Sequence, residues 1–347
     1  MAAKEKEKKF SYKDTLRRLK IQGPERLYLF YGEEEYLRDA FLEEIRKTCL
    51  GGGPKEFNWK RLDETAEPAD LEEAVNAPPF ISERTLVEVR GFDFSSYREK
   101  KADRLKKILE SIPTSCTVVL IMPAGAAPDN RLALTKAIRK IGLAIDFTAQ
   151  EAPDLVNWIG RRFQAENKEI SREDAEYLIF CAGGLMNRLL PEIEKLSFGV
   201  AGKRITRQDI DAMVDRLPEA EVFEMTDRLG EGRFDDAARQ LGQLLSRREE
   251  PIKLLALIGM QMRRIYTVKL AEQNRLNSRD TSKLTGIRYD FILSRLRTSA
   301  RRFSMEALSD ILEDCAEYDY MMKSTGLDSA ALLRQFFAEM AARTRQV

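Results

Sequence analysis

The feature that most constrains this chain is a change of hydrophobic period. Between Arg26 and Thr148, five short β-prone runs ("RLYLFY", "FNWKRL", "TLVEVR", "CTVVLIM", "LAIDFT") alternate with helix-patterned stretches at 34–49, 70–76, 98–111 and 130–141. Beyond Thr148 the strand signal stops, and apolar residues recur at i, i+3 and i+4. Alternating strands and helices specify a mostly parallel sheet with helices on both faces. "VVLIM" is apolar on both sides, as a central parallel strand should be. A length of 347 residues leaves room for roughly two or three domains.

The expected division is a charged N-terminal arm (1–20), an α/β domain (21–148), a small helical domain (149–216) and a C-terminal helical domain (217–347). "TAQEAPD" (Thr148 to Asp154) reads as the linker between the first two folded parts. Local signals place helix starts at Ser171 with Asp174, at Thr206, and at Pro251 in a first turn. Asp70 with Glu73 is expected to cap the short helix before "APPF". "GEGRF" separates two helices of a hairpin, and "GGGP" (Gly51 to Pro54) reads as a helix stop. An α/β domain followed by a small helical lid has the layout of an AAA+ module; the third domain adds a helical collar.

Several chemistries are excluded by composition. The chain has no histidine, and its four cysteines (Cys49, Cys116, Cys181, Cys315) form no CxxC pair. Structural zinc of ordinary spacing and catalysis by Ser-His-Asp or Cys-His are therefore not expected, and the thiols read as buried and reduced. Net charge is +1, so any basic footprint must be local. The N-terminus lacks the apolar core of a signal peptide, and no apolar run approaches the ~18 residues of a membrane span. A cytoplasmic address with no membrane contact follows.

The strand-to-helix turn after "RLYLFY" is where nucleotide-binding α/β proteins cradle phosphate. A P-loop needs GxxxxGK[ST], in which glycines admit backbone amides, Lys neutralises charge and a hydroxyl holds Mg²⁺. This chain has "YGEEEYLRDA" instead: one glycine, no Lys, no hydroxyl, and Glu33, Glu34 and Glu35 in succession. Those acids suit a helix N-terminus and would repel a triphosphate. No strand ends in an acidic pair for a metal; "LVEVRGFDF" places Arg90 and Gly91 there. The reading is a degenerate AAA+ module with no catalytic residue, cofactor, metal or nucleotide site. An ATPase of AAA+ type with an unusual site is the alternative.

"NAPPFISERT" is the second informative stretch. Pro78 and Pro79 end a helix, and Phe80 and Ile81 follow on the stiffened turn. Such a pair either tucks onto the sheet or stands out as an anchor for a partner's pocket. A third stretch, 262–302, carries eleven Lys or Arg against three acids. Arg263, Arg264, Arg301 and Arg302 there are candidate contacts for DNA or for neighbouring subunits. Phosphate contact would be salt-sensitive and sequence-independent. A helical nucleic-acid-binding scaffold is the other alternative this stretch raises.

Four segments in order carry a resemblance: "RLYLFYGEEEYLRDAFLEEIRK", "NAPPFISERTLVEVRGFDF", "DLVNWIGRRF" and "VFEMTDRLGEGRFDDAARQLGQLLSRREEPIKLLALIGMQMRRI". Together they are similar to the delta family of the bacterial DNA polymerase III clamp loader. The resemblance implies an AAA+-like domain, lid and collar, and a non-catalytic subunit of a DNA-directed DNA polymerase holoenzyme. It implies binding to the sliding clamp (beta subunit) and opening of its ring on primed DNA. It implies assembly with gamma/tau and delta prime subunits through the collar. In the family an apolar pair, often Leu-Phe, enters the clamp; the matching positions here are Pro79 and Phe80, with Ile81 beside them.

Overall fold

A computed structural model describes residues 12–51, 55–94, 97–287 and 289–345. Most of the expected N-terminal arm (1–11), most of "GGGP" (52–54) and Arg288 of the basic stretch lie outside the described residues. Contacts divide the chain into two units, one of residues 1–155 with 184–191 and one of 156–183 with 192–347.

The first unit opens with α1 (Tyr12–Gln22), β1 (Leu27–Gly32) and α2 (Glu35–Leu50), followed by α3 (Lys55–Asn58) and β2 (Trp59–Leu62). Then come α4 (Pro68–Asn76), β3 (Thr85–Arg90), α5 (Glu99–Glu110), β4 (Cys116–Ile121), α6 (Ala133–Ile141) and β5 (Leu143–Phe147). All five strands are parallel, in the order β2-β3-β4-β1-β5. β4 is buried along its whole length, as the run "CTVVLI" requires.

Period-2 geometry in β1 sends alternate side chains to opposite faces. Leu27 and Leu29 join the cluster of Leu71, Val75, Leu105, Ile108 and Ile138 from α4, α5 and α6. Tyr28 and Phe30 face the other way, onto Phe41 of α2 and Phe147 of β5, with ring centroids 5.1 to 6.4 Å apart. Both sheet faces are thus covered, as the alternating pattern predicts.

Two local details differ from the sequence expectation. "FNWKRL" is strand only from Trp59; Phe57 and Asn58 close the one-turn helix α3. The start of α4 is set by Glu67 and Pro68, and Asp70 accepts the Glu67 N–H at 2.8 Å. Proline fits the first helical turn, so the helix begins earlier than an Asp70 cap would place it.

Next in the chain are α7 (Ala152–Ala165), β6 (Glu169–Ile170), α8 (Arg172–Ala182), α9 (Met186–Gly199), β7 (Arg204–Ile205) and α10 (Arg207–Met213). Ser171 and Thr206 cap α8 and α10 as expected, accepting from the amides of Asp174 and Asp209. The two-residue strands β6 and β7 pair in parallel, where only helices were expected.

The remaining elements of the second unit are α11 (Pro218–Gly230), α12 (Phe234–Ser246), α13 (Pro251–Gln273), α14 (Ser278–Thr285), α15 (Asp290–Arg302), α16 (Met305–Ser324) and α17 (Ser329–Arg345). α13 is the central rod: Leu254, Ile258, Met262, Ile265 and Val268 are buried in one cluster with Leu296, Phe303, Ile311 and Phe336. Gly259 faces Cys315 of α16, where a Cβ would make an ordinary contact 3.4 Å from the sulfur. Asp227 of α11 ties in α15, accepting from Arg295 and from the Ser299 hydroxyl, each at 2.6 Å.

Candidate partner-docking site

The turn after β1 has its polar groups committed internally. Gly32 (φ +108°) donates to Ala126 O at 3.3 Å and accepts from Gly125 N–H at 3.0 Å. The Glu34 N–H donates to Phe147 O at 2.8 Å, and the Glu35 N–H to Glu33 O at 3.1 Å. A P-loop leaves such amides pointing at phosphate; here the turn after β4 takes that of Gly32, the end of β5 that of Glu34, and the turn itself that of Glu35. Glycine is required at position 32, since a Cβ would meet Phe147 O at 2.5 Å.

The three acids do not act alike. Glu33 is exposed. Glu35 pairs with Arg38 at 3.0 Å and accepts from the Asn187 side chain at 3.3 Å. Glu34 is fully buried, and its Oε2 accepts the N–H of Met186, the first residue of α9, at 3.3 Å. Sequence reasoning assigned all three to capping α2; Glu34 makes no side-chain cap there and points its charge at another helix N-terminus. Burial is the main cause that raises its pKa to about 7, against the lowering effect of the Met186 amide. Its Oε1 has no hydrogen-bond partner among the described residues.

β3 ends in Arg90, as its sequence indicates. The buried acid of this strand is Glu88, two residues earlier and fully enclosed. Arg46 of α2 grips it with both arms, at 2.6 and 2.8 Å. Trp59 is flanked by the guanidinium groups of Arg46 and Arg61, 4.6 and 4.5 Å from its ring centre. Glu88 therefore serves an internal ion pair. Among the described residues no cluster of three or more potential ligands could hold a metal ion.

The tip between α4 and β3 has the opposite character. Pro79 is half-buried, Phe80 is 51% exposed and Ile81 is 77% exposed. Ile81 also has φ +52°, a left-handed conformation that a β-branched residue rarely adopts. Among the described residues, no backbone–backbone hydrogen bond holds residues 78–84. Side chains supply the order among the described residues: the Ser82 hydroxyl donates to Arg84 O at 2.8 Å, and the buried Asn58 holds Phe80. Asn58 Oδ1 accepts from the Phe80 N–H at 2.7 Å, and Asn58 Nδ2 donates to Phe80 O at 2.8 Å. Phe57, 59% exposed, lays its ring against Phe80 with centroids 5.2 Å apart. The tip is therefore a fixed, outward-facing apolar surface built from two segments.

Sequence reasoning identified Phe80 and Ile81 but missed Phe57 and Asn58, which it read as strand. An Asn placed one residue before an edge strand was the available signal. Its partner, 22 residues away, was not visible in the pattern.

The four candidate arginines are distributed over the second unit. Arg263 and Arg301 are exposed, and among the described residues neither has an ion-pair partner within 4.0 Å. Arg264 is half-buried, and burial lowers its affinity for a proton. Arg302 pairs with Glu231 at 3.3 Å. Lys269, also in the basic stretch, donates to Ala300 O at 2.9 Å and so fastens α13 to the end of α15. Part of the local positive charge is thus structural. Among the described residues no helix is long and apolar enough to cross a membrane.

Comparison with known proteins gives a consistent picture. Residues 28–148 match the family model for the DNA polymerase III delta subunit, and residues 219–340 match the model for its C-terminal domain. DNA polymerase III subunit delta of Bacillus subtilis (strain 168) is 29% identical, over 96% of this chain and 98% of that protein. The probable DNA polymerase III subunit delta of Aquifex aeolicus (strain VF5) is 21% identical, over 92% of each. The solved Bacillus subtilis DNA clamp loader delta protein (YqeN) is similar over 96% of this chain and 100% of that one, with 27% identity and a TM-score of 0.52.

Proposed function

The chain belongs to the DNA polymerase III delta subunit family, and from that membership we propose that it binds a sliding clamp through the Phe80 tip and opens the ring for loading on primed DNA. The observation that carries this reading is the tip itself: a half-exposed aromatic with Ile81 beside it, braced by a buried Asn58 instead of being folded into the core. An ordered apolar anchor loses little conformational entropy when it enters a pocket.

In this reading the chain does mechanical work on a partner and performs no chemistry. The occupied amides of Gly32, Glu34 and Glu35 and the buried Glu34 carboxyl support a subunit without ATPase activity, because acidic side chains and internal bonds stand where a P-loop presents donors and a Lys to phosphate. The tip opens the ring only if it binds a strained or open clamp more tightly than the closed one. Residues 21–148 form the clamp-binding domain, 149–216 the lid, and 217–347 the collar that joins the gamma/tau and delta prime subunits. Arg263, Arg264 and Arg301 are placed in that collar to meet DNA phosphates or an acidic neighbour. Arg302 has less to offer, being paired with Glu231.

Surface-plasmon measurement of the purified chain on its cognate clamp tests the proposal. Phe80→Ala is expected to weaken binding by about 2–4 kcal/mol, the usual cost of a central aromatic anchor. Unchanged affinity would remove Phe80 from the interface. ATP turnover by the chain alone would overturn the non-catalytic reading.

A further inference from the structure

We infer that Phe57 is a second residue in direct contact with the clamp, and that Asn58 is the positioning residue that holds Phe57 and Phe80 in one surface. The inference rests on the reading of Phe80 given above and extends it to a different segment of the chain.

Phe57 has no obvious structural task. It lies in the one-turn helix α3, immediately before the edge strand β2, and more than half of its surface faces solvent. Its ring meets Phe80 at 5.2 Å with the planes inclined at 50°, so each ring shelters one side of the other. Two large rings that meet in water and stay exposed form a surface larger than either alone, and exposed apolar patches of this kind mark interaction sites.

Asn58 explains how the two segments stay in register. It is 1% exposed, and both ends of its amide are matched to the Phe80 backbone, donor to acceptor and acceptor to donor. That pair of bonds replaces the ladder rung that the tip lacks. It also holds the turn so that Ile81 keeps its left-handed backbone. Strain in a β-branched residue persists only where surrounding bonds over-determine it, and such sites concentrate at ligand clamps. Phe57 is joined to Asn58 covalently, so one side chain sets the relation of both rings.

The occupant this surface fits is an apolar cleft on the clamp wide enough for two aromatic rings. Glu56 and Glu83, both exposed, stand next to the tip in the chain, so complementarity calls for Lys or Arg at the cleft's rim.

The test uses the full chain and its cognate clamp, with affinity measured by surface plasmon resonance and folding by thermal melting. Phe57→Ala is expected to weaken clamp binding about tenfold at an unchanged melting temperature. Asn58→Ala is expected to do the same in the parent and to add less than twofold in a Phe80→Ala background, because it acts through that residue. Full affinity of Phe57→Ala, with Phe80→Ala impaired, overturns the inference and leaves the docking reading standing. So does an Asn58→Ala effect that is additive with Phe80→Ala, or one confined to melting temperature. Full affinity of Phe80→Ala overturns the docking reading and this inference with it.

Discussion

Two connections on the parallel sheet make an instructive pair. The turn after β1, at Gly32 to Glu35, has the position of a phosphate site, and it is closed. Its amides are bonded to Ala126 and Phe147, and its middle carboxylate is buried against the Met186 amide. The tip before β3, at Pro78 to Ile81, is open. It presents Phe80 and Ile81 to solvent, with Phe57 alongside, and Asn58 holds the Phe80 backbone by two bonds. One connection carries polar groups turned inward and, the Glu34 Oε1 apart, bonded; the other carries apolar groups turned outward and uncovered. Burying polar groups is tolerated only with partners, and exposing apolar ones invites them. The closed turn thus belongs to stability and the open tip to binding.

That contrast can be broken by mutation. The largest effect on stability is expected beneath the sheet's other face, at Glu88. Replacing Arg46 by Ala strands the Glu88 carboxylate without its two bonds, and unfolding free energy measured in urea should fall by about 3–5 kcal/mol. Gly32→Ala forces a Cβ onto Phe147 O in a left-handed backbone, and a loss of about 2–4 kcal/mol is expected in the same assay. If either variant weakened clamp affinity while leaving the unfolding curve unmoved, the assignment of this side to stability would be wrong. Phe80→Ala should behave inversely, losing about 2–4 kcal/mol of clamp binding with no more than about 0.5 kcal/mol change in unfolding.

A subtler effect concerns pH. Glu34 holds its proton up to about pH 7 in the folded chain, against an ordinary value of 4.5. The folded state therefore binds more protons than the unfolded state between those values, and this carboxyl makes stability decline as pH rises from about 4.5 to about 7. Glu34→Gln keeps an acceptor for Met186 and removes the buried charge. At pH 8 it should be more stable than the parent by about 1–3 kcal/mol, with the gap closing towards pH 5. Urea titrations at the two pH values decide it; a less stable variant at pH 8 would mean the charge is favourable where it sits. Smallest of all, Arg301→Gln should leave clamp affinity and stability within about 0.5 kcal/mol. It should lower only the salt slope of any DNA binding, by about one unit.

Much of this architecture was legible in the sequence. Alternating periods marked the five strands, and Ser171, Thr206 and Pro251 marked three helix starts at the right residues. Local chemistry decides such features, so local reading finds them. The missing pieces depend on distant partners. β6 and β7 have two residues each, too few for any period, and exist because Ile170 meets Ile205. Glu33, Glu34 and Glu35 look equivalent in a row; only the approach of residues 184–191 selects Glu34 for burial. At the docking site Phe80 was visible from its prolines. Asn58 was not, since its meaning lies in two bonds to a backbone 22 residues away.

The place of β1 in the sheet also bears on biosynthesis. β1 pairs with β4 and β5 and with no strand nearer in the chain. A ribosome making about 5–20 residues per second releases β1 roughly 6–25 s before Phe147 can join it. Until β4 follows, "LYLFY" is an apolar strand with both edges unpaired, and its β5 edge stays open to the end of that interval, while β2 and β3, close together in sequence, can already meet. The nascent chain thus carries an apolar strand early and covers its second edge late. This stretch is where a holding chaperone would be most useful.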